Sequence, residues 1–381
     1  MFRWEEGERV AGALEVGEAR DVAAWDGLQG QWNALAHRTG GDIFSRHDFV
    51  RLWRDHFAPS ARPCVLTARD PLGRLCAVLP LLEGHVRILG VPVRALVSAS
   101  NAHSCRFDLL ADDPMAAAQT FLDHLQARGG WTVLRLADVP LNGQAQAICE
   151  VARARGFRVA QVPSLRSPYL PLPANFETLA SRLDAKFRAN LRRRRRRLAE
   201  RGEVELEFFT GGPGLDARLE EGFLLEQRGW KGARGTAIAQ QPQTRNFYVA
   251  LAHAAAARGE LALLFLRIGG RAAAFHFALI DRRRYLLLKP AYDETLRECS
   301  PGQLLMEDAL RACIARGLTE FDFLGQDMPW KRDWTDRFRP HVTLYVFADT
   351  RAGRALHRAR FEWAPRLKRR LTKSSSAGGA R

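Results

Sequence analysis

What the sequence does not contain narrows it first. Its six cysteines (Cys64, Cys76, Cys105, Cys149, Cys299 and Cys313) include no CxxC pair, keep no regular spacing and sit in no His-rich cluster. That argues against a metal site or a disulfide framework and for a reducing compartment. No stretch comes near the roughly 18 uninterrupted apolar residues of a membrane span, and the acidic opening MFRWEEGERVAG has no apolar core of signal-peptide length. The expectation is a cytoplasmic chain, peripheral at most to the inner face of a membrane. Negative charge is the minority: 42 Asp+Glu face 58 Lys+Arg in 381 residues, for a net charge of +16. The excess is local. Residues 182–201 hold ten basic residues against Asp184 and Glu200, and residues 351–381 hold ten against Glu362, so these windows carry +8 and +9 and the other 330 residues sum to −1. A near-neutral globule with two cationic segments is not a surface built throughout for nucleic acid.

What is present is globular. A hydrophobic fraction of 46% excludes a disordered chain, and the length suits two domains or one large one. Leu75–Leu82 reads as a buried strand after the turn Asp70-Pro71-Leu72-Gly73, followed by an extended run at 86–97, a helix over 113–128 closed by Gly129-Gly130, and a strand over 131–137. The order then repeats. Leu261–Ile268 and Arg271–Ile280 are strands about the Gly269-Gly270 turn, Arg284–Lys289 is the next strand, a helix runs from Ser300 to Arg316, and Thr319–Leu324 is a strand. Two copies of one order predict two similar α/β units. We place an N-terminal extension at 1–20, a first domain at 21–172, a basic interdomain helix at 173–202, a second domain at 203–350 and a basic tail at 351–381. Pro163, Pro168, Pro171 and Pro173 mark the boundary. In the basic helix Phe176, Leu179, Leu183, Phe187, Leu191 and Leu198 fall at helical spacing, with Asn175 as N-cap and Gly202 as stop. Arg192–Arg197 wrap this helix above the apolar stripe.

From Arg271 onward the chain resembles the CelD-type acetyltransferases of cellulose and exopolysaccharide biosynthesis, within the GNAT superfamily. The matching elements are the strand with Ala273 and His276, Tyr292-Asp293, Ser300-Pro301-Gly302 opening a helix, Phe321-Asp322-Phe323 with Gly325, and Trp330-Lys331 followed by Trp334. Upstream, Trp230-Lys231, the arginine helix, Ile43-Phe44 and Trp53 look like features of the same family, so the resemblance covers most of residues 40–350. It is related to the Fem-type aminoacyltransferases, which pair two GNAT-like domains, and so implies an α/β fold of two tandem GNAT-like domains, each a mixed central sheet flanked by helices. The implied reaction is transfer of an acetyl or other acyl group from acyl-CoA to an amine on an exopolysaccharide, holdfast-like adhesin, capsule or other envelope sugar. The common pyrophosphate signature of the superfamily, Gln/Arg-x-x-Gly-x-Gly/Ala, is absent.

Acyl transfer to an amine needs a cradle for donor phosphates, a route for the amine proton and donors for the developing oxyanion. Ser300-Pro301-Gly302-Gln303 has the composition of a capped helix start with N–H groups to offer an anion; the same residues also suit a plain cap. Asp322, between Phe321 and Phe323 on a strand, faces away from both and is a candidate base if burial raises its pKa, or a strand-end cap. His276 is a second candidate base or a hydrogen-bonded core residue, and Tyr292 a candidate acid toward the departing thiolate or a packing residue. Lys289 and Lys331 are candidates for holding an anionic donor or substrate group, and Trp230-Lys231 for stacking on a sugar; each also reads as ordinary structure. No pattern demands a covalent intermediate, so the amine attacks directly without a metal.

The arginine helix carries no interleaved aromatic platform and sits in no recognised nucleic-acid module, so no specific nucleic acid is expected. An anionic membrane surface suits the tail, where Arg366, Lys368, Arg369, Arg370 and Lys373 interleave with Trp363, Leu367 and Leu371. An anionic dinucleotide such as cyclic di-GMP is a further partner for clustered arginines. Two rival functions remain: a Fem-type transferase using aminoacyl-tRNA, and a non-catalytic binding protein.

Overall fold

Local signals build both halves. In the computed structural model, which describes residues 14–229, 235 and 237–366, the first half runs β1 (Glu15–Ala19), α1 (Val22–Asp26), α2 (Gln29–Arg38), α3 (His47–Phe57), β2 (Arg62–Arg69), β3 (Leu75–Ile88) and β4 (Val91–Ser98). It continues through β5 (Leu110–Ala111), α4 (Pro114–Arg128), β6 (Val133–Pro140), α5 (Gln146–Ala154) and β7 (Arg158–Pro171). The second half has α6 (Phe176–Arg182), α7 (Ala185–Ala199), β8 (Val204–Phe209), α8 (Leu215–Arg228), α9 (Pro242–Ala257), β9 (Leu261–Ile268), β10 (Arg271–Asp281) and β11 (Arg284–Tyr292). It closes with α10 (Pro301–Ala315), β12 (Glu320–Asp322), α11 (Pro329–Arg332), β13 (Phe338–Phe347) and α12 (Arg351–His357). The punctuation is physical. Asp113 accepts the N–H groups of Met115 and Ala116 to start α4, and Gly269 and Gly270 take positive φ to turn β9 into β10.

Each half contains a parallel pair with a helix between its strands, in the repeated order expected: β4 beside β6 across α4, and β11 beside β12 across α10. The strands form one sheet in the order β1-β2-β3-β4-β6-β13-β7-β12-β11-β10-β9-β8, with β5 on β3. The proline-rich stretch is no open linker. It is β7, whose first part pairs with β13 and whose last residues pair with β12, joining the two halves. Proline has no N–H for a ladder, and the register against β13 slips between Pro340 and Val342, opposite Pro163. The last strand, β13, crosses back from the second half and lies between β6 and β7.

The single basic helix expected over 173–202 is two helices. Leu183 is extended (ψ 149°), and Asp184 restarts the chain by accepting the Phe187 N–H, while Asn175 caps α6 as expected. Along α7, Leu191 and Leu198 are buried, Arg192, Arg193, Arg196 and Arg197 are exposed, and Arg195 reaches Glu307 and Asp308 of α10 at 3.0 and 2.8 Å. The halves also share a core. Phe49, Val50 and Trp53 on α3 lie in one apolar cluster with Phe247, Tyr248 and Leu251 on α9, and the Phe49 and Phe247 rings meet edge to face at 5.8 Å. Ile43 and Phe44 are buried in the same cluster.

Candidate active site

The site begins where two parallel strands part. β11 and β12 pair only over Arg284–Leu286 and Glu320–Asp322. Beyond that, β11 continues to Tyr292 alongside β10, after a bulge between Phe277 and Ala278. The other strand peels away: Phe323 donates its N–H to the Pro168 carbonyl, and Leu324 and Gly325 both take left-handed backbone angles (φ 50° and 57°). A leucine in that region is strained, and such strain gathers at functional sites. The fork opens into a cavity of about 490 Å³. Its apolar wall includes Leu287, Met306, Phe323 and Met328, and Ala102 and Cys105 of the first half also line it.

Most of the residues singled out from sequence meet in this cavity. His276, Lys289 and Tyr292 enter from β10 and β11, Ser300, Gly302 and Gln303 from the start of α10, and Lys331 from α11. Pro301 is buried behind the wall. Trp230 and Lys231 lie outside the described residues, as does the tail from Leu367 onward.

Their individual roles differ from the sequence reading. Asp322 does turn away from Phe321 and Phe323, as strand alternation requires, yet it faces a buried ion lock and not the cavity. Arg106 of the first half approaches its carboxylate to 2.6 Å and Arg339 of β13 to 3.1 Å, and Arg106 also lies 3.2 Å from Asp42. Burial alone would raise the Asp322 pKa, but the two guanidinium groups and the Leu324 N–H outweigh it and hold it below the ordinary value. The expected raised pKa is therefore reversed, and Asp322 is a fixed anion tying the halves together. His276 is fully buried on β10, with Nδ1 3.5 Å from the Tyr285 hydroxyl. Burial pushes its pKa down to about 3, so it is neutral at physiological pH.

The helix start is a narrower cradle than its composition implies. Ser300 sits in the left-handed region (φ 46°) and its hydroxyl caps nothing in α10. Its carbonyl takes the N–H groups of Gln303 and Leu304, and Pro301 has none, which leaves the Gly302 N–H to face an anion. A Cβ on Gly302 would meet the Tyr292 ring at 3.3 Å, so the glycine lets that ring lie against the helix end. The Gln303 side chain is committed: it donates to the Trp330 carbonyl and to Asp333, and accepts from Trp334 at 2.6 Å. Lys331 donates to the carbonyls of Leu324 and Gln326, stapling the left-handed turn that opens the fork. Lys289 lies 5.2 Å over the Tyr248 ring.

Several lining residues escaped the sequence reading, among them Glu226, Tyr248 and Arg297. Glu226 is a buried carboxylate on α8 that accepts the Ile238 N–H at 2.8 Å, Tyr248 comes from α9, and Arg297 stands exposed at the rim. A signal for Glu226 was available. It occupies the apolar stripe of α8 after Leu215, Leu219 and Phe223, where an acid is out of place unless it has work to do. Among the described residues no group of three or more His, Cys, Asp or Glu side chains is placed to hold a metal.

Residues 185–332, from α7 through α11, match the acetyltransferase (GNAT) domain family. None of the curated protein sequences matches the chain. Among solved structures, it is similar to FemX, with 12% identity over 87% of this chain and 97% of that one and a TM-score of 0.58. It is also similar to the C-terminal domain of a putative lysylphosphatidylglycerol synthetase from Agrobacterium fabrum, with 13% identity, 88% and 96% coverage and a TM-score of 0.50. L-PGS from Bacillus licheniformis gives 12% identity, 91% and 97% coverage and the same score. At such identity the likeness is one of fold: a mixed α/β protein with a large mixed sheet flanked by helices, in which residues 185–332 carry the acetyltransferase (GNAT) match.

Proposed function

We propose that the chain is an N-acyltransferase that takes an acetyl or longer acyl group from acyl-CoA in the fork between β11 and β12 and passes it directly to an amine. The acceptor in this reading is an amino sugar of an exopolysaccharide or other envelope polymer. The fork itself carries the proposal. A cavity between parted parallel strands suits an extended, amide-bearing donor lying along a strand, with its phosphates toward Gly302 and Arg297. In the step, the neutral amine nitrogen bonds to the thioester carbonyl carbon, the carbon–sulfur bond breaks, and the amine proton leaves. Glu226 is the cavity's buried carboxylate and receives that proton, while Tyr292 supplies one to the departing thiolate. His276, already neutral, serves as a hydrogen-bonding wall. Calorimetric titration with acetyl-CoA and longer acyl-CoA tests the reading: saturable binding that weakens in Gly302→Ala is expected, and no binding to any member of the series would remove it.

One observation favours a second donor. The exposed arginines of α7 lie on the helix that packs on α10, beside the cavity rim, and would suit the phosphates of an aminoacyl-tRNA. Activity that needs aminoacyl-tRNA and is lost after RNase treatment would select it.

A further inference from the structure

The hairpin joining β3 to β4 is expensive as built. Its two turn residues, Leu89 and Gly90, both take left-handed angles (φ 51° and 84°), the geometry in which Asn-Gly is preferred and a leucine is strained. That leucine is also 54% exposed, and its neighbour Val91 55%. An asparagine there would be cheaper in backbone energy and better hydrated, so the apolar tip is not explained by folding.

The same hairpin meets the C-terminal helix. Ile88 and Val93 belong to a small apolar cluster with Phe347, and Leu356 and Phe361 pack against it. Two residues beyond Phe361, at the end of the π-helical segment Arg358–Trp363, Trp363 is 54% exposed. Cations surround both features. Arg87 and Arg94 are exposed on the hairpin, and Arg358, Arg360 and Arg366 on the helix, none in an ion pair among the described residues. The nearby acids are engaged, Asp349 with Arg354 at 2.6 Å and Glu362 beside His357 at 3.5 Å. After Arg366 the sequence adds Lys368, Arg369, Arg370 and Lys373 and no acid.

We infer that the β3–β4 tip and the C-terminal helix form one docking surface for an anionic lipid bilayer. The chemistry selects that occupant: a protruding aliphatic tip and a tryptophan enter the boundary between headgroups and acyl chains, while arginines meet anionic headgroups. A nucleic acid would use the cations but not the leucine. Among the described residues no helix is long and apolar enough to cross a membrane, so the docking is peripheral. This holds whichever acyl donor the cavity takes.

Co-sedimentation of the full chain with vesicles tests it. Binding to phosphatidylglycerol/phosphatidylcholine vesicles that falls with salt, and little binding to phosphatidylcholine alone, is expected. Leu89→Asn puts the preferred residue into the turn, so it keeps the fold, and it should weaken vesicle binding by about tenfold. Each of Arg358→Gln and Arg360→Gln should weaken it by about fivefold. Absence of wild-type binding to the anionic vesicles overturns the inference. So does undiminished binding by the Leu89→Asn, Trp363→Ser double variant, which would assign binding to the tail alone. A wild-type dimer in light scattering that Leu89→Asn converts to monomer would assign the face to a second copy of the chain and equally overturn it.

Discussion

The chemistry of single residues here is set by what surrounds them. Asp322 and His276 are both fully buried, yet one is held as an anion by two arginines and the other is kept neutral by burial. Asp322→Asn should cost about 3 kcal/mol in urea unfolding at pH 7, because Arg106 and Arg339 lose the buried carboxylate they share and keep only Asp42 and Glu320. Its folded pKa is depressed, so the stability it contributes is complete above the unfolded value and is lost as pH falls through the folded one. The difference between wild type and Asp322→Asn should therefore shrink below about pH 4. A variant that kept wild-type stability and lost only turnover would return Asp322 to the role of base. For His276, a pKa of about 3 means no titration between pH 5 and 8. The rate profile should lack a limb near pH 6.5 that disappears in His276→Gln; finding one would show a base poised for catalysis. Glu226→Gln keeps the shape of the proton acceptor and should lower kcat by about 10²–10⁴ with little change in KM.

Elements are seated by close approaches that leave no room for a side chain. A Cβ on Gly222 of α8 would lie 2.5 Å from the Phe275 ring on β10, so Gly222→Ala should cost roughly 1–3 kcal/mol by thermal unfolding despite the better helix propensity of alanine. At Gly302 the intrusion is milder, 3.3 Å against Tyr292. Gly302→Ala should keep its melting temperature and raise the donor KM several-fold by displacing the ring; a lowered melting temperature with unchanged KM would contradict the cradle. The break between α6 and α7 belongs to this scale. Apolar spacing runs through Leu183 without interruption, and only the capping bond of Asp184 and the extended backbone before it divide the stripe.

At the scale of the whole molecule, the halves are interlocked. β13 lies between β6 and β7, β7 also pairs with β12, and α3 and α9 share one core. The protein should melt in one calorimetric transition with equal calorimetric and van't Hoff enthalpies; two resolved transitions would show independent domains. A fragment ending at residue 172 lacks β13, bares the edges of β6 and β7, and should aggregate on expression.

The sequence alone determined the pieces. Caps, glycine turns and hydrophobic period are local, which is why α4, the β9–β10 hairpin, β11 and α10 stand where residues such as Asp113, Gly269 and Gly317 place them. Several residues it singled out also line the cavity: His276 within β10, Lys289 and Tyr292 toward the end of β11, Ser300 and Gly302 at the start of α10, and Lys331 on α11. Tertiary structure decided what those residues do. Nothing near Asp322 in the chain announces Arg106, 216 residues away. The Lys331 staple, the strand exchange and the meeting of the β3–β4 tip with the C-terminal helix are likewise contacts between distant segments. Charge state, burial and pairing depend on neighbours in space, and only the folded sheet brings those neighbours together.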